Sequence, residues 1–283
     1  MDSGSTPVYA VVRTRHGNTY MTTLAFGVEP DKRPYRLRLA RYHALAETIT
    51  DFVRQQPEDR PLALLDAGAG NGRTYRYLEP FNVVDRIRFH GLDNSQHRLT
   101  HLYKADRWAE LRLHDLEEGI PYPDESFDIV VCEQVLEHLN RAPFVLSELH
   151  RVLRPGGMLI AGVPSFPPGI AHLRATVVPL IDRLRSVERG HVQVFTAGSF
   201  RRMVCQAGNV ASIQTRGFRI VSGGVLRFLE NYEWWYRVNR TLGRWAAPLC
   251  VEVQVVAIKA GDPAGRAPAH TNTAIECCHD ECS

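Results

Sequence analysis

Residues 62–72 read Leu-Ala-Leu-Leu-Asp-Ala-Gly-Ala-Gly-Asn-Gly, a short apolar run followed by an acid and three alternate glycines. The apolar run predicts a buried strand, and the glycines predict a tight turn that leads into a helix. Glycines in such a turn let a ligand approach the backbone without meeting a Cβ, and the N–H groups of the turn stay available to that ligand. A tight turn without a ligand would also use glycine, so the spacing alone leaves both interpretations open.

Beyond residue 60 the chain alternates short apolar runs with stretches of helical spacing. Strands are predicted at 62–66, 87–92, 111–114, 127–132 and 158–163, and this alternation indicates a parallel sheet covered by helices. Helical spacing also predicts a helix over 39–52, before the first strand, and another near 144–153. Two later segments, 211–221 and 251–259, are rich in β-branched residues, and we predict that they pair with each other.

Acidic side chains stand where three of these strands end. Asp93 ends the second strand, 21 residues beyond Gly72, where a carboxylate can accept hydrogen bonds from both hydroxyls of a ribose. Asp115 follows His114 at the end of the third strand, where an acid can accept the exocyclic amine of an adenine, and Glu133 ends the fourth. Open α/β sheets bind ligands at this edge, so the pattern predicts a nucleoside site.

The charge of the glycine turn bears on which nucleoside it binds. Asp66 next to the turn would repel the pyrophosphate of a dinucleotide, whereas it favours a ligand that carries an ammonium and a sulfonium. The spacing Gly-x-Gly-x-Gly also departs from the Gly-x-Gly-x-x-Gly typical of dinucleotide folds. Arg73 keeps a phosphate-bearing ligand as an alternative.

Four landmarks occur in order along the chain. They are Asp-Ala-Gly-Ala-Gly-Asn-Gly at 66–72, Pro-Asp-Glu-Ser-Phe-Asp at 123–128, Leu-Glu-His-Leu at 136–139 and Leu-Arg-Pro-Gly-Gly at 153–157. In this order they resemble the class I S-adenosylmethionine-dependent methyltransferases over roughly residues 62–163. The resemblance implies an α/β fold, a Rossmann-like three-layer αβα sandwich. Its seven-stranded, mostly parallel sheet would have a reversed last strand, and insertions would form a lid.

The same resemblance implies S-adenosylmethionine as the cofactor and suggests the residues that contact it. The residues implied around the methionine part are Asp66, Gly68, Gly70 and Gly72. It places Asp93, with Asn94 beside it, at the ribose. It places Asp115 and Leu116 at the adenine and Glu133 near the cofactor.

Catalysis of methyl transfer needs chiefly positioning, with a base only where the acceptor must lose a proton. Glu137 and His138 follow the fourth strand, and His191 lies in a segment that could fold back over the site. We therefore predict these three residues as the catalytic group, with a histidine as general base. Capping or packing of a helix is the alternative role for each.

A divalent metal is a second interpretation of the same residues. Small-molecule O-methyltransferases and small-RNA 2′-O-methyltransferases that resemble this chain bind metal through Glu-x-x-Glu-His and a later histidine. Gln134 stands here at the position of the first glutamate, and an amide is a poorer ligand than a carboxylate. We therefore predict no metal site, with a metal held by Glu137, His138 and His191 as the alternative.

The rest of the chain is divided around this domain. We predict an N-terminal arm at 1–34, the catalytic domain at 35–260 and a flexible tail at 261–283 that contains Cys277, Cys278 and Cys282. Insertions at 164–190 and 225–248 are expected to hold the acceptor, because the second contains six aromatic residues suited to an apolar or ring-bearing substrate. Packing within a lid helix is the alternative role for these aromatics.

Composition limits the partners. The net charge of +3 provides no strong field for nucleic acid, and the absence of a long apolar run predicts a cytoplasmic chain with no transmembrane segment. The sequence therefore predicts a methyltransferase acting on a small-molecule or lipid- or glycan-linked acceptor, at oxygen. An RNA-modifying methyltransferase and a non-catalytic protein that binds the cofactor or senses metal are the alternatives.

Overall fold

A seven-stranded sheet forms the centre of the protein. The computed structural model describes residues 11–13, 19–21, 40–166, 193–220 and 232–261. Two short strands, β1 (Val11–Arg13) and β2 (Thr19–Met21), pair with each other apart from the main sheet. The main sheet contains β3 (Leu62–Ala67), β4 (Ile87–Asp93), β5 (Glu110–Leu113), β6 (Phe127–Glu133), β7 (Leu153–Pro164), β8 (Val210–Ile220) and β9 (Cys250–Lys259).

The strand order across the main sheet is β5-β4-β3-β6-β7-β9-β8. The strands from β5 to β7 pair in parallel, whereas β9 lies antiparallel between β7 and β8. This arrangement confirms the predicted Rossmann-like fold with its reversed last strand. The pairing predicted between the two late segments is the ladder of β8 with β9.

Six α-helices connect and cover the described strands. They are α1 (Ala40–Gln55), α2 (Arg73–Leu78), α3 (Gln96–Thr100), α4 (Ala142–Val152), α5 (Ala197–Gln206) and α6 (Glu233–Trp245). One face of the sheet packs on apolar side chains of α1 and α2, and the opposite face packs on those of α4 and α5. The sheet is therefore buried between two helical layers, as parallel sheets require. Among the described residues no helix has the length and hydropathy of a membrane span.

Several boundaries differ locally from those predicted. His114 lies just beyond β5, which ends at Leu113. β7 begins at Leu153 and runs through the Pro-Gly-Gly sequence, where its pairing with β6 shifts register. Gly156 has a φ of 74° there, which explains how a turn-forming sequence is accommodated at the start of a strand.

Candidate functional site

The turn after β3 has the backbone that its glycines predict. Gly68, Gly70 and Gly72 have φ angles of 87°, 57° and 76°, in the left-handed region that favours glycine. A Cβ on Gly68 would overlap Cγ2 of Val135, whereas a Cβ on Gly70 would have no neighbour closer than 3.8 Å. The turn is thus packed on one side at Gly68 and open at Gly70, where a ligand can reach the backbone.

Asp93, at the end of β4, is hydrogen-bonded to this turn. One of its carboxylate oxygens accepts a hydrogen bond from the Gly70 N–H at 2.8 Å, and the other accepts one from the Ser95 N–H at 2.9 Å. Arg98 lies 3.5 Å from the second oxygen, and the Asp93 side chain is buried. The carboxylate therefore couples the end of β4 to the glycine turn, a role that the sequence did not indicate.

A cavity of about 510 Å³ opens at the carboxyl ends of β3 and β6. Its walls are formed by the glycine turn, the start of α1, the start of α2 and the segment after β6. The lining residues are Arg41, Tyr42, Asp66, Gly68, Ala69, Gly70, Asn71, Arg73, Thr74, Arg98, Glu133, Gln134, Val135, Glu137 and His138. The cavity therefore brings together six predicted site residues, which are Asp66, Gly68, Gly70, Glu133, Glu137 and His138.

The other predicted site residues are not among those that line this cavity. Gly72 caps the start of α2, and Asn94 is exposed beside Asp93. Asp115 accepts a hydrogen bond from the Glu117 N–H at 2.9 Å, and Leu116 is buried in the core. His191, most of the insertion at 164–190 and the tail from 262 onward lie outside the described residues.

Three buried carboxyl groups in the cavity wall, those of Asp66, Glu133 and Glu137, have raised pKa values. Burial raises the pKa of Asp66 to about 7, against a hydrogen bond from Thr74 that lowers it. Burial likewise raises the pKa of Glu133 to about 7 and that of Glu137 to about 6. Oε2 of Glu133 and Oε2 of Glu137 have no hydrogen-bond partner within the described part of the protein. Acidic groups with unused acceptor atoms favour a ligand that brings positive charge.

Arg41 lies among these carboxyl groups, and its presence in the site was not predicted. Its Nη1 donates to Oε2 of Glu252 at 2.9 Å, and its Nε lies 3.7 Å from Oε2 of Glu133. Its guanidinium also lies 4.7 Å from the ring centroid of Tyr42. Because Glu252 shares Arg41, the attraction that Arg41 exerts on Glu133 does not overcome the cost of burial, and the pKa of Glu133 stays raised.

β9 supplies the remaining polar groups of this cluster. Glu252 accepts a second hydrogen bond from Nη1 of Arg219 at 3.0 Å, and Gln254 donates to Oε1 of Glu133. Gly162 of β7 lies between Glu133 and Gln254, and a Cβ there would collide with the Glu133 carboxylate. The sequence Val-Glu-Val-Gln-Val at 251–255 carried a usable signal, because polar residues within an apolar strand often mark a site.

Glu137 and His138 follow β6 in a short 3₁₀ turn. Oε1 of Glu137 lies 3.8 Å from Nε2 of His138, and the Glu137 side chain is buried whereas that of His138 is 47% exposed. The backbone carbonyl of Glu137 accepts a hydrogen bond from the Gln193 N–H at 3.2 Å, which brings the chain after the first insertion to this turn. In the described portions of the chain, no group of three or more His, Cys, Asp or Glu residues is arranged to hold a metal ion.

The aromatic residues of the second insertion do not line the cavity where they are described. Trp234 is 54% exposed and Trp245 is 86% exposed, while Trp235 packs against the core beside α1. Tyr232, Trp234, Trp235 and Trp245 are not among the residues that line the cavity. The expected contact of these residues with the acceptor therefore stays a prediction, because the cavity is lined by the glycine turn, α1, α2 and the segment after β6.

The free energy of unfolding is expected to contain a contribution from Glu133 that decreases as the pH rises. Its carboxyl pKa is about 7 in the folded protein against 4.5 ordinarily. This contribution is complete below about pH 4.5 and is lost as the pH passes about 7. The free energy of unfolding, measured with urea, should decrease between pH 5 and pH 8. We expect this decrease to be about 2 kcal/mol smaller in Glu133→Gln than in the wild type.

Glu118→Gln provides the control for this measurement, because Glu118 is exposed. Carboxylates whose pKa is lowered by ion pairs, such as Asp128, change stability in the opposite direction, so only the difference between proteins is diagnostic. Equal decreases in the wild type and in Glu133→Gln would contradict the prediction.

Comparison with known proteins identifies relatives of this chain. A family described as "Methyltransferase domain" matches residues 65–161. A probable S-adenosylmethionine-dependent methyltransferase of Mycolicibacterium smegmatis is 38% identical over 110 residues, which are 38% of this chain and 40% of that protein. The 27-O-demethylrifamycin SV methyltransferase of Amycolatopsis mediterranei is 32% identical over 170 residues, 58% of each chain.

A third relative has a different name. The mitochondrial arginine-hydroxylase NDUFAF5 of Rattus norvegicus is 27% identical over 194 residues, 66% of this chain and 53% of that protein. The chain thus spans about half the length of these curated relatives. The matched family segment contains β6 and most of the residues that line the cavity.

Proposed function

Because the chain carries a class I S-adenosylmethionine-dependent methyltransferase domain, we propose that it transfers a methyl group to a small-molecule or lipid- or glycan-linked acceptor, at oxygen. The observation that carries this proposal is a cavity lined both by the glycine turn and by Glu137 and His138. One wall has the features of a cofactor site and the other has groups able to act on an acceptor. A relative whose name describes an O-demethylated small molecule supports the choice of oxygen.

The residues present fit S-adenosylmethionine. The open side of Gly70 gives backbone access, and the buried carboxyl groups of Asp66 and Glu133 suit a ligand with an ammonium and a sulfonium. Asp93 would hold the ribose with Asn94 beside it, and Asp115 and Leu116 would hold the adenine. When bound, this cofactor supplies an electrophilic methyl group on sulfur.

His138 acts in this proposal as the general base that takes the proton of the acceptor hydroxyl. Its partial exposure leaves the imidazole accessible to an acceptor, while the buried carboxyl of Glu137 lies 3.8 Å from its Nε2. Glu137 orients the imidazole for this role. His191 is proposed to complete this group from the segment before Gln193, and none of these residues needs a metal.

The test uses S-adenosylmethionine with a deuterated methyl group. The protein is incubated with it and with a small-molecule extract, a lipid and glycolipid extract, or total RNA, and products are identified by mass spectrometry. We expect a product that gains the labelled methyl group on oxygen in one of the first two fractions. Label in RNA, label on nitrogen or carbon, or a product that gains oxygen rather than methyl would overturn the proposal.

Replacement of His138 by glutamine is expected to lower kcat by about 10²-fold or more, because glutamine cannot take a proton in the reaction. Its affinity for S-adenosylhomocysteine, measured by calorimetry, should change by less than about threefold. His101→Gln is the matched control, because His101 is exposed at the end of α3 and is not among the cavity residues. An unchanged kcat in His138→Gln would exclude His138 as the base.

A further inference from the structure

One side of α6 presents a continuous apolar surface to solvent. Trp234, Val238, Leu242 and Trp245 are 54%, 36%, 42% and 86% exposed, and Leu249, just beyond the helix, is 57% exposed. At about 100° per residue the four helical positions fall within an arc of about 80°. We call these five residues the α6 apolar face. Exposed large apolar residues in such a row are unusual on a surface that stays in water.

The opposite side of α6 already holds the helix in place. Gly243 lies directly against the carbonyl oxygen of Gly217 in β8, so the helix packs closely on the sheet. Arg240 donates to Oε1 of Glu47 on α1 at 3.0 Å, and Asn239 is buried. The exposed tryptophans and leucines are therefore not needed to attach the helix to the protein.

The charges of α6 indicate the kind of surface that would cover the face. The helix contains three arginines and one glutamate. Arg237 and Arg244 are exposed and lie on one flank of the apolar row. Tryptophan at the headgroup level, apolar side chains below it and arginines on the flank are the composition of a helix that lies in a lipid interface.

We propose that the α6 apolar face docks on an anionic lipid bilayer surface, with α6 parallel to the membrane plane. This goes beyond the proposed function, because docking requires neither the cofactor nor the acceptor. The site lies close to this surface along the chain, since Leu249 stands three residues before Glu252, the ion-pair partner of Arg41 in the cavity wall. Docking would therefore bring the cavity region near lipid-embedded molecules.

The test is cosedimentation of the full chain with vesicles. Vesicles of phosphatidylglycerol and phosphatidylcholine in equal parts are compared with vesicles of phosphatidylcholine alone. We expect binding to the mixed vesicles that weakens at high salt, because the arginines act through screened charge. The double variants Trp245→Ala with Leu242→Ala, and Arg237→Gln with Arg244→Gln, are each expected to weaken binding about tenfold or more.

Matched controls distinguish binding through the α6 apolar face from non-specific binding to the vesicles. Leu113→Ala removes an exposed leucine from β5, at the other edge of the sheet, and Arg88→Gln removes an exposed charge from β4, so both should bind like the wild type. All variants should keep wild-type affinity for S-adenosylhomocysteine, which distinguishes failure of docking from failure of the cofactor site.

Absence of binding to the mixed vesicles would overturn the proposal. Equal losses in Leu113→Ala and in the Trp245 and Leu242 variant would also overturn it. A dimer in sedimentation velocity that the Trp245 and Leu242 variant abolishes, together with no vesicle binding, would instead assign the face to a second copy of the chain.

Discussion

Asp93→Ala is expected to lower the affinity for S-adenosylhomocysteine by about 100-fold or more. The variant loses the two hydrogen bonds that fix the glycine turn through Gly70 and the following turn through Ser95. It also loses the acceptors proposed for the ribose hydroxyls. Hydrogen bonds to a charged group contribute about 1.5–3 kcal/mol each, so the loss of two of them should lower the affinity more than about 100-fold.

Isothermal titration calorimetry measures this loss directly. Asp85→Ala is the matched control, because Asp85 is an exposed acid in the loop before β4 and its side chain is 84% exposed. Asp93→Asn separates shape from charge: the amide keeps the size of the side chain but cannot accept with both terminal atoms. A folded Asp93→Ala protein with wild-type affinity would contradict the role of this residue in the cofactor site.

Arg41→Met is expected to lower the free energy of unfolding by about 2–3 kcal/mol, because Arg219 still compensates part of the charge of Glu252. Methionine preserves much of the side-chain volume, so the effect comes from removing the positive charge between Glu252 and Glu133. Without Arg41, Glu252 keeps Arg219 as its charged partner and Glu133 loses its nearby positive charge, so the buried negative charge is only partly compensated in a region of low dielectric. Urea unfolding at neutral pH measures the change.

Two further variants show whether the lost charge is the cause. Arg54→Met removes an exposed arginine from the same helix and should change stability by less than about 0.5 kcal/mol. Arg41→Met with Glu252→Gln should be more stable than Arg41→Met alone, because the glutamine carries no charge to compensate. Equal stability of the single and double variants would show that packing, and not charge, accounts for the loss.

The local parts of the fold and the cofactor wall could be predicted from the sequence. Apolar runs with an acid at their ends identified β3, β4 and β6 within one or two residues, and the glycines fixed the turn that forms the cavity wall. These features depend on short-range backbone conformation and on the side-chain pattern of a doubly covered parallel sheet. Each is therefore encoded within a few residues.

The Arg41 cluster could not be predicted in the same way. Arg41 and Glu252 are 211 residues apart, and they meet only because β9 is inserted between β7 and β8. The exposed apolar row of α6 was not predicted either, because the aromatic content of the segment was considered without its helical period. The spacing of Trp234, Val238, Leu242 and Trp245 would have placed them on one exposed face.

The reversed direction of β9 has a consequence for the order in which the protein can fold. Within the sheet, β8 is hydrogen-bonded to β9 alone. Glu252, the ion-pair partner of Arg41, is the third residue of β9. A nascent chain that has not yet released residues 250–259 from the ribosome can form the parallel strands, but it has neither a paired β8 nor the ion pair of Arg41 with Glu252. We infer that completion of the cavity wall is a late, long-range step of folding, set by closure of the contacts that are most distant in sequence.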